Sequence, residues 1–253
     1  ITQFKWIPRE DALETCKHVL QPSIRFSLDE CKDLPSTNFV GRKTELTAQQ
    51  KKAFKDMQEK AVTIFKEGEV TAPNTAVMLS KLLQICCGVV YSEDDSIVID
   101  SGERYNTLTE LLGEIGGKVI IFVPLRWLLE QLRKGGHSVE LVNGDVSTKA
   151  RNEIFHNFQH TDEPQILLAH PKVAAHGLTL TAAKDIIWYA PIYSLEQYEQ
   201  ANARIRRLTT EGKTSVWHIY ATNFEAELYR RLRAKQNTLA EFLDLVRGIN
   251  SSD

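Results

Sequence analysis

From about residue 105 onward, the apolar positions switch repeatedly between helical and strand periods. Leu108, Leu111 and Leu112 define a helix over 105–115, stopped by Gly116-Gly117. Lys118-Val119-Ile120-Ile121-Phe122-Val123 is a continuous apolar run, the pattern of a strand buried on both faces. A helix over 125–132 ends at Gly135-Gly136, and a strand over 138–142 ends in the turn Asn143-Gly144-Asp145. Ala150, Ile154, Phe155 and Phe158 share one side of a helix over 148–158. Strands follow at 165–169 and 185–190. Ser194-Leu195-Glu196-Gln197 is a capping-box pattern opening a helix to Arg206. A strand over 215–220 leads to a second box, Thr222-Asn223-Phe224-Glu225, which opens the last basic helices.

Residues 1–105 read as mainly helical. Ala12, Leu13, Cys16, Val19 and Leu20 form one helical stripe. Thr47-Ala48-Gln49-Gln50 opens a long polar helix toward Phe65. Asn74 caps a helix with Val77, Met78, Leu79, Leu82, Leu83 and Cys86 on its apolar side. Residues 33–37 read as a turn and residues 91–96 as an acidic loop.

Short strands alternating with helices of ten to thirteen residues define β-α-β units and a parallel sheet. The expected class is α/β, a parallel sheet flanked by helices with a mainly helical N-terminal extension. The expected organisation is 1–105 helical region, 106–235 lobe and 236–253 C-terminal helix. Ligands in such sheets sit at the carboxyl ends of strands. Those ends are Val123-Pro124, Asn143-Gly144, Ala169-His170, Ala190-Pro191 and Ala221-Thr222.

Composition narrows the class further. The chain has 253 residues, 42% hydrophobic and 25% charged, which excludes a disordered tail, a collagen-like rod and a disulfide miniprotein. No apolar window is long enough to span a membrane, and residues 1–6 do not open a signal peptide. The first residue is Ile, so the expectation is a piece of a longer, cytoplasmic protein. Cys16, Cys31, Cys86 and Cys87 lack C-x-x-C spacing and read as reduced thiols. The net charge is −2, yet residues 200–235 carry eight bases against three acids. That segment is either a solvated helix face or an anion site.

Several chemistries are missing. There is no G-x-x-x-x-G-K-[ST]; the stretch from Gly113 to Lys118 lacks its spacing and precedes a strand instead of following one. No G-x-G-x-x-G and no G-x-S-x-G occurs. His156 and His160 share a helix face, but Asn157 stands where a metalloprotease has Glu. No metal site is expected.

The informative stretch runs from His170-Pro171-Lys172 through His176-Gly177-Leu178-Thr179-Leu180 to Gln200-Ala201-Asn202-Ala203-Arg204-Ile205-Arg206-Arg207. On a helix, Gln200, Arg204 and Arg207 would project from one face. Arginine suits spread negative charge because its planar fork donates paired hydrogen bonds and stays protonated. A polyphosphate site fits this trio, and a surface helix making salt bridges would show the same spacing.

The order of the pieces resembles the second motor lobe of superfamily-two helicases, more narrowly the Swi/Snf-type DNA translocases in their bacterial and phage form. Gln200-x-x-x-Arg204-x-x-Arg207 is similar to the family's sixth motif, and His176-Gly177-Leu178-Thr179-Leu180 resembles its fifth. Residues 118–122 look like the fourth-motif strand, and Asn143-Gly144 with Arg151 and Phe158 resembles the segment that follows it. Asp33-Leu34-Pro35, Leu46 to Gln50 and Leu82 to Cys86 match the stretch preceding this lobe; Phe224 to Lys235 matches the helix after it. The sequence departs from the pattern at Ala175, where Gly is usual, at Thr179, where Asn is usual, and at Thr209-Thr210, near the usual Gly-Gln pair.

The resemblance implies a RecA-like fold and an ATP-dependent, DNA-stimulated motor. ATP and Mg²⁺ would lie between this lobe and an N-terminal RecA-like lobe that holds the metal. Arg207 would be the arginine finger, Arg204 would hold the same phosphate or orient the finger, and Gln200 would set helix geometry or a water. Gly177 and Thr179 would border the nucleotide. His170, Pro171, Lys172 and Asn143 would contact DNA, duplex and without sequence preference. The fragment alone would not hydrolyse ATP. Two other readings remain: a lobe of another superfamily-two motor such as a restriction translocase, and a nonenzymatic α/β module that binds a partner. A Rossmann-type enzyme is disfavoured by the missing glycine fingerprint.

Overall fold

The computed structural model describes residues 9–22, 36–60, 62–64, 69–71, 75–91, 96–123, 127–174, 180–205 and 212–235. The chain divides into two compact units, Ile1–Leu34 and Pro35–Asp253. In the first unit the predicted stripe forms α1 (Ala12–Val19), with Glu14 in its first turn and Lys17 and His18 in its last. Those charges complement the helix dipole.

The second unit begins β1 (Thr37–Lys43), α2 (Ala48–Lys60), β2 (Val62–Ile64), β3 (Glu69–Thr71), α3 (Thr75–Cys87), β4 (Val89–Tyr91) and β5 (Ser96–Val98). It continues α4 (Gly102–Glu114), β6 (Val119–Phe122), α5 (Trp127–Lys134), β7 (Val139–Val142), α6 (Thr148–His160), β8 (Ile166–Ala169) and α7 (Pro171–Ala174). The last described elements are β9 (Asp185–Trp188), α8 (Leu195–Asn202), β10 (Thr214–Tyr220) and α9 (Asn223–Arg233).

Among the described residues, six strands form one parallel sheet in the order β1-β10-β9-β6-β8-β7. The central strands are buried along their length, as their unbroken apolar runs require. Their alternate residues feed two layers. Ile120, Phe122, Leu167, Ile186 and Trp188 pack with Phe155 and Phe158 of α6, Tyr198 of α8, and Tyr229 and Leu232 of α9. Val119, Ile121, Leu168, Ile187 and Ile219 pack with Leu108 and Leu111 of α4 and Leu128 and Leu132 of α5. Helices therefore cover both faces, and the expected α/β class, a parallel sheet flanked by helices, holds. A third cluster joins Ala53 and Met57 of α2, Leu79, Leu82 and Ile85 of α3, and Phe224 and Leu228 of α9. By facing both ways, α9 ties the α2–α3 layer to the sheet.

Capping explains several helix starts. Thr222 and Glu225 form the full reciprocal box at the head of α9. Thr47 and Gln50 do the same for α2: Gln50 N–H donates to Thr47 Oγ1 (3.3 Å), and Thr47 N–H to Gln50 Oε1 (3.0 Å). Gln50 Nε2 also donates to the carbonyls of Ile85 and Cys86 at 2.8 and 3.1 Å, pinning the end of α3. Gly88 follows with φ of +85°, and a Cβ there would collide with Ser101, so only glycine turns the chain into β4.

Three expectations change. Residues 37–43, inside the region read as helical, are a strand paired in parallel with β10. The long polar helix ends at Lys60, and β-branched Val62, Thr63 and Ile64 enter a small antiparallel pair. The helix expected to reach Arg206 stops at Asn202, with Ala203 as its C-cap. Residues 33–35, Phe65, Asn74, residues 92–95 and the expected helix over 236–253 lie outside the described residues. No helix among the described residues is long and apolar enough to cross a membrane.

Candidate functional site

The carboxyl edge of the sheet gathers most of the residues singled out in the sequence. Val142 of β7 and Ala169 of β8 are paired, so Asn143 and His170 leave the sheet side by side. His170 N–H donates to the Val142 carbonyl at 3.0 Å and fixes that juxtaposition. Asn143 Oδ1 accepts from Asp145 N–H at 3.1 Å, a local turn that holds its side chain at the edge. Pro171 opens the single turn of α7, where its missing N–H costs nothing. Lys172 on that turn is exposed. His170 Nδ1 accepts from Lys172 N–H at 3.2 Å, which puts the neutral ring's proton on Nε2. Partial burial, reinforced by Lys172, lowers the His170 pKa and keeps that ring neutral.

Gln200 and Arg204 do not form a helical face. Gln200, half-buried on α8, donates from Nε2 to Glu196 Oε1 at 2.9 Å. Arg204 lies beyond the helix end and is only 7% exposed. Its N–H donates to the Ala201 carbonyl, and its own carbonyl accepts from Leu180 N–H, both at 3.2 Å. The segment after α7 and the end of α8 are thereby joined backbone to backbone. Trp188 Nε1 donates to Asn202 Oδ1 at 2.9 Å, fixing the last turn of α8 to β9. Gly177, Thr179 and Arg207 lie outside the described residues.

A cleft of about 370 Å³ opens beside His170. Its walls come from α3 (Leu83, Cys87), from Pro171 and Lys172, and from the loop after β9 (Pro191, Ile192, Tyr193). The sequence did not reveal that α3 would meet the strand ends here. Its apolar stripe indicated burial and said nothing of the partner.

Beneath that loop lies a buried ion pair. Arg104 Nη2 donates to Glu225 Oε1 at 2.6 Å, with the two side chains 1% and 0% exposed. Arg104 Nη1 donates to the Tyr189 carbonyl at 2.5 Å. Glu225 Oε2 accepts from the backbone N–H of Ala221 (2.9 Å) and Thr222 (3.2 Å). Burial alone would lower the Arg104 pKa; the adjacent carboxylate outweighs it and raises it. Sequence reasoning read Glu225 as a cap and missed Arg104, whose place on an amphipathic helix carried no signal.

The basic tail is less free than its charge implied. Glu227 takes Arg230 and Arg231 at 2.6 and 2.9 Å. The Arg230 hydrogen bond, joined by that of Arg231, holds the Glu227 carboxyl down at about 2 despite partial burial. Arg233 lies over the Phe39 ring, 5.1 Å from its centroid. Among the described residues no group of three or more His, Cys, Asp or Glu is arranged for a metal ion.

Comparison with known proteins gives this site a class. Residues 103–209 match the helicase conserved C-terminal domain. Over that stretch the chain is similar to helicase C-terminal domains, and its fold is the RecA-like α/β fold that such domains share. Over 160 residues it is 31% identical to the mouse ATP-dependent RNA helicase DDX42, covering 58% of this chain and 17% of that protein. The C-terminal part of the Fun30 ATPase domain shares the fold with a TM-score of 0.63 at 15% identity, over 85% of this chain and 97% of that one. The Sulfolobus solfataricus SWI2/SNF2 ATPase core in complex with dsDNA matches with a TM-score of 0.56 at 20% identity, over 92% of this chain and 52% of that one. The chain thus spans about a sixth of the mouse relative's length.

Proposed function

We propose that this chain is the second lobe of an ATP-dependent, DNA-stimulated translocase of Swi/Snf type. The observation that carries the reading is the paired exit of Asn143 and His170 at the carboxyl edge of the sheet, with exposed Lys172 one turn on. A cation, a neutral imidazole and an amide in a row suit the sugar-phosphate backbone, with no base readout. The Sulfolobus neighbour's complex with dsDNA agrees.

ATP would be held between this lobe and an N-terminal RecA-like lobe. Arg207 would reach the γ-phosphate, where such a finger contributes roughly 10³–10⁵ in rate. Arg204, buried and tied to Leu180, would position the Arg207 segment. Gln200 would brace α8 through Glu196, and Gly177 and Thr179 would border the nucleotide. Mg²⁺ would be held by the other lobe. Because Arg204 and Leu180 share a hydrogen bond, movement at the nucleotide would be felt at the segment leading from Lys172.

The mouse relative's name supports a second reading, in which the strand is RNA. The deciding experiment measures ATP hydrolysis by the full-length protein containing this chain, with duplex DNA, single-stranded DNA and RNA. Stimulation by duplex DNA above the others is expected. Stimulation by RNA alone would replace this reading with the second, and no stimulation by any would overturn both.

A further inference from the structure

We infer that the cleft between α3 and the strand ends binds a single nucleotide, its base inside and its phosphate at Lys172. The inference deepens the reading above and rests on it for the neighbouring strand. The cleft encloses about 370 Å³, within the range of small-ligand sites and on the scale of one nucleotide. Leu83, Pro171, Pro191 and Ile192 give it apolar walls, and Tyr91 and Tyr193 supply aromatic surface. Such a wall suits a flat ring, and stacking on aromatic side chains is indifferent to which base it is.

The rim adds polarity of the matching kind. Lys172 is exposed and is paired with no described acid. His170 uses Nδ1 internally and keeps Nε2–H as a donor. A purely apolar guest would leave both groups without use. A nucleotide answers each: ring for wall, phosphate for cation, acceptor for donor. The position at the carboxyl ends of β8 and β9 is where parallel sheets take ligands. The nucleotide has two possible sources, an unpaired residue of a bound strand or a free mononucleotide.

The test uses this chain with labelled oligonucleotides of equal length, one carrying bases and one abasic, together with an AMP titration followed by the methyl resonances of Leu83 and Ile192. Base-bearing strands should bind roughly tenfold tighter than abasic ones. Ser80→Trp, which fills the cleft from α3, should remove that difference while abasic binding stays. Gln197→Trp fills it from the opposite wall should the first variant fail to fold. Methyl shifts with AMP would add the free nucleotide as a source; base preference with AMP silent would assign the site to a strand. Methyl shifts without any strand binding would uphold the cleft and sink the strand contact of the preceding section. Equal binding of both strands with AMP silent, or base preference surviving in a folded cleft-filled variant, would overturn the inference.

Discussion

Arg104 and Glu225 meet 2.6 Å apart in the interior, although 121 residues separate them in sequence. The guanidinium is shared with the Tyr189 carbonyl and the carboxylate with the head of α9. One charge pair thus locks α4, the end of β9 and α9 together behind the cleft loop. Arg104→Met leaves the Glu225 carboxylate buried beside no cation. It should cost about 3–5 kcal/mol in urea unfolding of this chain. Replacing Glu225 by Leu in the same chain should recover part of that loss, less the value of the cap.

His218 sets an acid limit on stability. It is buried between the Tyr229 ring, stacked at 4.1 Å, and the Tyr198 hydroxyl, 2.8 Å from Nε2. Burial, aided by Arg233, pushes its pKa down to about 3. The unfolded ring protonates near its ordinary value while the folded ring does not. Stability is therefore complete above about pH 6.5 and falls as pH drops toward 3, by up to about 1.4 kcal/mol per pH unit. His218→Phe should flatten that slope in urea titrations between pH 6 and 4.

Thiol chemistry should divide by burial. Cys16 is exposed, whereas Cys86 and Cys87 are buried. Burial pushes the Cys87 thiol up to about 12 and raises Cys86 well above its ordinary range. Iodoacetamide at pH 8 should label Cys16 in the folded chain and reach Cys86 and Cys87 only after denaturation, as read by peptide mass mapping.

The two motif arginines should separate in their effects. In the full-length protein, Arg207→Ala should lower DNA-stimulated hydrolysis by about 10³ or more with nucleotide affinity retained. Arg204→Ala should also lower the melting temperature, because Arg204 is buried and packed. Unchanged turnover in Arg207→Ala would remove the finger from its role.

His156 and His160 lie on α6 with ring centroids 4.9 Å apart. His156→Ala should leave stability within about 0.5 kcal/mol, as for an ordinary surface site. A bound metal lost on this substitution would show otherwise.

The sheet was largely readable in advance. Val119 to Phe122 and Ile166 to Ala169 are unbroken apolar runs because both their faces are covered, and burial of that kind is written locally. The cap at Thr222 was readable because it is local too: two residues three positions apart, Thr222 and Glu225, decide it. What escaped notice was long-range. Residues 37–43 alternate weakly at an edge, and their identity as a strand depends on β10. The end of α8 at Asn202 reflects the Trp188 and Leu180 hydrogen bonds, which no spacing within the helix encodes. At the candidate site, Asn143, His170 and Lys172 were legible as strand ends. The contribution of α3 was not, because an apolar stripe does not name its partner.

The pairing of Thr37 with Thr214 across 177 positions has a consequence for synthesis. During translation the first strand of the sheet leaves the ribosome long before the strand it must lie against. It has to wait, unpaired and open to sticking, until nearly all of the second unit has emerged. Closure of this edge is then a late event, and a nascent chain halted short of Thr214 would hold every other strand of the sheet yet lack the one that bridges β1 to β9.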